Sequence, residues 1–230
     1  MIKKLATLTT KDTISIITLD DGKANVFSSA MIKDINECLD QVPSDKGALI
    51  ITGREGILSG GFDLKIISAG NMKAIHEMTS SGFRLLSRIL SFPRPVIAAC
   101  TGHAIALGTF MLCCCDFRIG AKGDFMVGAN EMRTNMVIPV PILELIRFRV
   151  SQRHKYRAIL GAEMYSIETA VDAGLMDQAV EQEKLMETAL LKAEDLATMG
   201  HPSYSLTKEL FINDVVTKIN HALDEEDAAT

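Results

Sequence analysis

Two short apolar strands separated by a helical segment open the chain, and a glycine-rich turn follows the second strand. The segments Ile14–Leu19 and Ala48–Thr52 are rich in β-branched residues and bounded by turn residues, which predicts strands. Between them, the apolar residues of segment 28–42 recur at helical spacing. The turn Ser59-Gly60-Gly61 follows the second strand. This strand–helix–strand order predicts an α/β fold.

The alternation of strands and helices continues to the C-terminus. Residues 72–92 repeat the helical pattern, and Pro93 and Pro95 end it. Residues 96–99 form a predicted buried strand, and residues 101–103 a predicted turn. The remaining predicted elements are helices at 109–115, 141–150, 151–160, 166–173, 184–199 and 205–223, and strands at 117–120, 125–127 and 175–180.

Composition excludes several classes of protein. Apolar residues make up 47% of the 230 residues and charged residues 23%, which is not a disordered composition. The net charge of −5 argues against nucleic acid as a partner, because binding phosphates needs a basic surface. The apolar runs are too short to span a bilayer, and the N-terminus does not resemble a signal peptide. We therefore expect a cytoplasmic domain of the size of an enzyme, with neither nucleic acid nor a membrane as its partner.

The five cysteines point neither to disulfides nor to a metal site. An odd number, with three adjacent thiols at 113–115, is a poor disulfide framework. Neighbouring side chains on a helix or strand diverge, so this run cannot converge on one metal ion. We expect buried, reduced cysteines that fill space in the core.

Two segments combine a strand end with glycine-rich backbone that opens onto a helix. They are residues 58–65 and residues 102–108. Such backbone offers N–H groups to an anion, and two segments aimed at one oxygen would form an oxyanion hole. Neither contains a dinucleotide fingerprint or a phosphate loop. From residue types alone, ordinary turn chemistry is the better explanation of these glycines.

In this order the two segments resemble motifs of the crotonase, or enoyl-CoA hydratase/isomerase, family. The first resemblance runs from Leu58 to Leu64, and the second from Gly102 to Gly108 with Cys115-Asp116 following. Segments 20–26 and 160–175 resemble two further family motifs, so the resemblance covers roughly residues 10–200. It implies a spiral of strand–strand–helix units at 1–195 and a C-terminal helical oligomerisation arm at 196–230. It also implies an acyl-CoA thioester as substrate and assembly into trimers or hexamers.

The resemblance assigns the two oxyanion donors to the backbone N–H groups of Phe62 and Leu107. Leu107 stands where the family usually has glycine, and Ala106 replaces a second glycine, so each adds a Cβ near the thioester. No cofactor or metal is implied beyond coenzyme A as part of the substrate. The implied substrate-binding positions are Lys23, Ala24, Gly60, Gly61, Asp63, Leu64, Lys65, Ala106, Gly108 and Phe110.

The acid–base positions favour an isomerase. Family hydratases use two glutamates, but the first position falls on Phe110 and the second, by counting, on Asn130. The segment Gly128-Ala129-Asn130-Glu131 resembles instead the motif of Δ3,Δ2-enoyl-CoA isomerases, whose glutamate is the single base. A 1,3-proton shift needs only one carboxylate, which would be Glu131. The alternatives are an enoyl-CoA hydratase, an acyl-CoA hydrolase, or a catalytically degenerate CoA-ester-binding protein.

Several further residues are weaker candidates. Glu144 is a second possible base, although its spacing suggests an ion pair with Arg147. Lys23 and Lys65 are candidates for the CoA phosphates, and each has a surface lysine as its simpler interpretation. Lys208 and Phe211 on the arm are candidates for reaching CoA, and His103 is expected to have a structural role. The candidates for an acyl tunnel are Met111, Met126, Met132 and Met136.

Overall fold

The computed structural model describes residues 3–228. It contains two β-sheets, and the strands within each sheet are all or mostly parallel. The larger sheet has the strand order β1-β2-β3-β5-β7-β9, in which only the β1–β2 pair is antiparallel. The smaller sheet has the order β4-β6-β8. The strands are β1 (Ala6–Lys11), β2 (Ile14–Leu19), β3 (Ala48–Thr52), β4 (Gly56–Ser59), β5 (Val96–Cys100), β6 (Gly102–Ile105), β7 (Phe117–Ala121), β8 (Val127–Gly128) and β9 (Gln178–Val180).

Nine α-helices connect and cover these strands within residues 3–228. Side-chain caps begin several of them: Ser28, Asn71 and Ser166 each accept a hydrogen bond from a first-turn amide. The helices are α1 (Ser29–Leu39), α2 (Leu64–Ser68), α3 (Met72–Leu90), α4 (Leu107–Cys114), α5 (Val140–Arg149), α6 (Lys155–Ile159), α7 (Ile167–Ala173), α8 (Leu185–Ala197) and α9 (Ser203–Ala228), with 3₁₀ turns at Glu131–Thr134 and Gln182–Lys184.

The large sheet is buried on both faces. On one face, Ile17 and Ile51 join the main core, which also includes residues of α1, α3 and α4. On the other face, Ile50 and Ile97 pack with residues of α8. Burial on both faces is typical of parallel sheets and explains why these strands read as continuous apolar runs. Each such isoleucine stabilises the fold by roughly 1.5–3 kcal/mol.

Helix α9 packs against α5 and α3 of the same chain. Its buried stripe includes Ile212, Val215, Ile219 and Leu223, which belong to the main core. Near its start, Lys208 Nζ lies 2.7 Å from Asp116 Oδ2. No helix within residues 3–228 is long and apolar enough to cross a membrane. The predicted domains at 1–195 and 196–230 extend into residues 1, 2, 229 and 230, which lie outside the described part of the chain.

The predicted α/β class is correct, and the strands Ile14–Leu19 and Ala48–Thr52 have the predicted bounds. The predicted turn at 101–103 is wrong, because Gly102 and His103 begin strand β6 and pair with β4. The predicted helix 151–160 is limited to Lys155–Ile159. Besides β6, the strands β1 and β4, the helix α2 and the two 3₁₀ turns were not predicted.

Candidate active site

The turn after β4 is held by a loop that follows β2. Buried Asn25 donates from Nδ2 to the carbonyl of Leu58 at 3.2 Å, and its own carbonyl accepts from Ser59 Oγ at 2.6 Å. The amide of Gly60 donates to the carbonyl of Ala24 at 2.8 Å. Gly61 follows with φ +93°, a conformation that favours glycine. These bonds fix the peptide that carries the Phe62 amide.

The Phe62 side chain anchors the same turn on α3. Its ring meets the ring of Phe83 edge-to-face, with centroids 5.5 Å apart. It also lies over Gly82, where a Cβ would be 2.5 Å from Phe62 Cε1. The close approach therefore depends on glycine at position 82. With ring and backbone both fixed, the Phe62 N–H has a defined direction.

The second turn joins β6 to α4. Ala106 has φ +51° and ψ −121°, a strained conformation for a residue with a Cβ, and its amide donates to the carbonyl of Gly128 at 3.0 Å. Leu107 is the first residue of α4, so its N–H has no partner inside the helix. Strain of this kind persists where the surrounding structure imposes it.

The two turns lie against each other. A Cβ built on Gly61 would be 3.5 Å from the Leu107 nitrogen, 3.2 Å from the Ile105 oxygen and 2.9 Å from the Ala106 Cβ. Within residues 3–228, neither the Phe62 nor the Leu107 amide donates to a protein acceptor. Both residues line the same cavity. Two unsatisfied N–H groups in neighbouring turns can donate to one oxygen atom of a ligand.

The cavity has a volume of about 590 Å³, within the usual range for sites that bind small molecules. Its walls are mostly apolar and come from α2, α3, α4, α5 and the segment before α5. The apolar wall residues beyond the two turns are Leu64, Ile67, Met72, Ile75, Phe83, Phe110, Met136, Val137, Ile138, Pro139 and Ile142.

Glu131 provides a carboxyl group in this cavity. It begins the 3₁₀ turn after β8, and β8 pairs with β6, whose end leads into Ala106. Of the buried polar side-chain atoms in residues 3–228, only Glu131 Oε2 lacks a hydrogen-bond partner. Burial raises the pKa of Glu131, partly offset by a hydrogen bond from its own amide. A desolvated carboxyl group with one oxygen that lacks a protein partner is typical of a functional group.

Several other polar residues lie in or near the cavity wall. Glu144, the second candidate base, is not a wall residue. Its carboxylate pairs with Arg147, and its Oε2 lies 3.7 Å from Lys218 Nζ. The wall also includes Asn130 and Thr79. Glu226 near the end of α9 is a further wall residue that the sequence analysis did not identify.

The predicted substrate-binding positions divide into two groups. Gly60, Leu64, Ala106 and Phe110 line the cavity. Those that do not line it are Lys23, Ala24, Gly61, Asp63, Lys65 and Gly108. In this second group the backbone of Ala24 and Gly61 shapes the first turn, as described above.

The other predicted positions that do not line the cavity have structural roles or lie on the surface. Asp63 caps α2 by accepting from the Lys65 amide. Gly108 allows α4 to approach β4, because a Cβ there would lie 2.6 Å from the Ser59 oxygen. Lys23 and Lys65 are exposed. These two lysines are free to meet a ligand outside the cavity.

The weaker candidates lie mostly away from the cavity. Lys208 is buried in its ion pair with Asp116 and is not a wall residue of this cavity. Phe211 is exposed and packs against Phe148, with ring centroids 5.9 Å apart. His103 accepts a hydrogen bond at Nδ1 from the Met126 amide at 3.1 Å.

The methionines predicted for an acyl tunnel are also divided. Met136 lines the cavity, whereas Met111, Met126 and Met132 do not. Met72 lines it and was not predicted. Met111 is fully buried and belongs to the main core.

Comparisons with known proteins agree with this fold. A family model described as Enoyl-CoA hydratase/isomerase matches residues 9–228. An enoyl-CoA hydratase/isomerase family protein from Pseudomonas syringae is 35% identical, with a TM-score of 0.93 over 96% of each chain. A protein from Mycobacterium tuberculosis, called an enoyl-CoA isomerase in one solved structure and a probable enoyl-CoA hydratase in another, is 35% identical in the first, with a TM-score of 0.91 over 99% of each chain. A probable enoyl-CoA hydratase from Bacillus subtilis is 27% identical, covering 93% of this chain and 84% of the relative. The chain therefore belongs to the enoyl-CoA hydratase/isomerase family.

Proposed function

We propose that this chain is a Δ3,Δ2-enoyl-CoA isomerase in which Glu131 carries the proton. The observation that supports this most directly is the buried Glu131 Oε2, which has no protein partner and lies in the cavity lined by Phe62 and Leu107. The relatives bear both names, hydratase and isomerase, so the family alone does not choose between them. The residues of this cavity favour the isomerase.

The Phe62 and Leu107 amides would hold the thioester oxygen of the substrate. When a proton leaves C2, negative charge moves onto this oxygen, and two N–H donors stabilise it. Removing one such donor typically costs about 3–4 kcal/mol of transition-state stabilisation. Because the turns are fixed by their own hydrogen bonds, the donors need no reorganisation during the reaction.

Glu131 would move the proton between two carbons. Its carboxylate takes a proton from C2, and the electrons of that C–H bond delocalise through C1 onto the oxygen to give a dienolate. The protonated Glu131 then delivers the proton to C4. The C3=C4 electrons form the new C4–H bond, the former C1=C2 electrons form the C2=C3 bond, and the carbonyl is restored. This proton shift consumes no water and requires no cofactor.

Phe110 argues against hydration. It lines the cavity and is 3% exposed, so the α4 wall offers an aromatic ring where a second carboxyl group would help to activate water. An apolar wall also excludes water from the dienolate. Exposed Lys23 and Lys65 are the proposed contacts of the CoA phosphates.

The test is the Glu131→Gln variant, with Glu144→Gln as its matched control. Glu131→Gln should lower isomerase turnover by about 10²–10⁴-fold, the usual contribution of a general acid–base group. Acyl-CoA affinity, measured by calorimetry, should stay near that of the wild type. Glu144→Gln should retain turnover, because Glu144 is not a wall residue.

The possible results separate the alternatives. Full activity in Glu131→Gln would show that Glu131 is not the base. Addition of water to crotonyl-CoA by the wild type, without isomerisation, would indicate a hydratase. Release of free thiol would indicate a hydrolase. Tight acyl-CoA binding without turnover on any substrate would indicate a degenerate binding protein.

A further inference from the structure

Thr109 lies behind the cavity, in the first turn of α4. It is 1% exposed and is not a wall residue of the cavity. Its Oγ1 accepts a hydrogen bond from the Gly128 amide at 2.9 Å. The same oxygen lies 2.6 Å from the Ala104 carbonyl and 3.0 Å from the Gly128 carbonyl, to which it can donate its single proton. One hydroxyl group thus connects three segments of backbone.

These three segments carry the two halves of the site. Helix α4 begins with Leu107, and Ala104 lies on β6, two residues before the strained Ala106. Gly128 ends β8, three residues before Glu131. The hydroxyl therefore lies where the chain carrying an oxyanion amide meets the chain carrying the carboxyl group.

The pairing around Thr109 is short. Strand β8 has only two residues, and its register with β6 consists of Ala104 against Val127 and Ile105 against Gly128. The Ala106–Gly128 hydrogen bond, at 3.0 Å, is the last backbone link before the chain turns toward Glu131. A side-chain bond at this point adds a constraint that the short ladder lacks.

We propose that Thr109 is a positioning residue that fixes the Leu107 amide relative to the Glu131 carboxyl group. The inference rests on the proposed function, because it assigns these two groups to one reaction. Thr109 does not touch the substrate. It acts through the backbone of β6 and β8, and a displacement of about 1 Å between reacting groups can lower a rate by about 10²-fold.

The experiment compares Thr109→Val with Thr52→Val. Thr52 is also buried, and its Oγ1 donates across the large sheet to the Ala99 carbonyl at 2.9 Å, away from the cavity. Both variants lose one buried hydroxyl with little change in shape, so both should lower the Tm. Only Thr109→Val should lower kcat, by about 10²-fold with KM nearly unchanged. Thr109→Ser keeps the hydroxyl and should restore most of the kcat.

Substitute variants and a proton-exchange assay allow the result to be interpreted even if Thr109→Val does not fold or the wild type does not isomerise its substrate. If Thr109→Val does not fold, Thr109→Ser and Thr109→Ala replace it, and only the serine variant should retain kcat. Exchange of the C2 proton of a saturated acyl-CoA into D₂O, followed by NMR, needs the amides and the carboxyl group but no double bond. A wild type that exchanges C2 without isomerising would overturn the proposed function and still test Thr109. A Thr109→Val variant with wild-type kcat and exchange, but a Tm lowered as in Thr52→Val, would overturn the positioning role.

Discussion

The two sheets of this molecule are built differently. In the large sheet, β2 and β3 pair in unbroken register from Ile14 against Ala48 to Thr18 against Thr52. In the small sheet, the pairing of β4 with β6 shifts between Ile57 and Ser59. The large sheet is buried on both faces, whereas the strands of the small sheet lead into the turns that line the cavity.

The difference shows where stability and chemistry lie. Long regular ladders satisfy every backbone group, so they stabilise the fold and leave no donor for a ligand. The strands β4 and β6 end early. Gly61, two residues after β4, and Ala106, directly after β6, have positive φ. Their conformations leave the following amides without protein acceptors. The site therefore depends on irregular backbone that the regular sheet supports.

The sharpest test of this contrast is Gly61→Ala. The new Cβ would lie 2.9 Å from the Ala106 Cβ, at a φ of +93° that disfavours any side chain. The turn must shift, and the Phe62 and Leu107 amides must separate. Activity should fall by about 10²–10³-fold, as when one oxyanion donor is lost. Steady-state turnover measures this loss.

Gly70→Ala is the matched control for that variant. Gly70 also has a positive φ, +70°, but a Cβ there would meet nothing within 4 Å. The control also places a side chain at a positive φ but without the steric contact, so turnover should stay close to that of the wild type. Equal losses in the two variants would show that strain alone, and not the closeness of the two turns, controls activity.

A smaller effect should distinguish the sheets by stability. Ile50→Val removes one methyl group from a fully buried position in β3 and should lower the free energy of unfolding by about 0.5–1.5 kcal/mol. Turnover should not change. Ile57→Val makes the same change at a half-buried position in β4 and should cost less stability. Urea unfolding measures both, and an equal cost would contradict the assigned difference between the sheets.

The same contrast explains which elements were predictable from sequence. Strands β2 and β3 have the predicted bounds because β-branched residues fill them and turn residues flank them. Strand β4 has only the sequence Gly-Ile-Leu-Ser, and β6 begins with Gly102 in what reads as a turn. Their pairing depends on close backbone approach, since a Cβ on Gly102 would lie 2.0 Å from the Gly56 carbonyl. Local propensity does not record such an approach.

Apart from Met136, the candidate site was predictable only where a motif marks it. The motifs identified Phe62, Leu107, Phe110 and Glu131, and the structure brings these four residues to one cavity. The apolar wall from α3 could not be predicted, because Ile75 and Phe83 have the spacing of ordinary core residues. The expected trimer or hexamer and the cytoplasmic location stay predictions, since a single chain tests neither.

The last prediction concerns the stability cost of an unpaired carboxyl group. Burial raises the pKa of Glu131 in the folded chain, so the folded state binds its proton more tightly than the unfolded state. Stability must then fall as pH rises from the ordinary carboxyl pKa through the raised value, because ionised Glu131 is desolvated without a partner. Glutamine carries no charge and avoids this loss.

Glu131→Gln should therefore have a higher Tm than the wild type at neutral pH, and nearly the same Tm at a pH below the ordinary carboxyl range. Scanning calorimetry at both pH values measures the difference, and Glu144→Gln should not reproduce this pattern, since Glu144 has cationic partners. Turnover of the wild type should change in the opposite direction, rising with pH as Glu131 ionises. A Tm difference independent of pH would show that Glu131 does not pay a desolvation cost in the folded chain, and its selection as the base would lose its physical support.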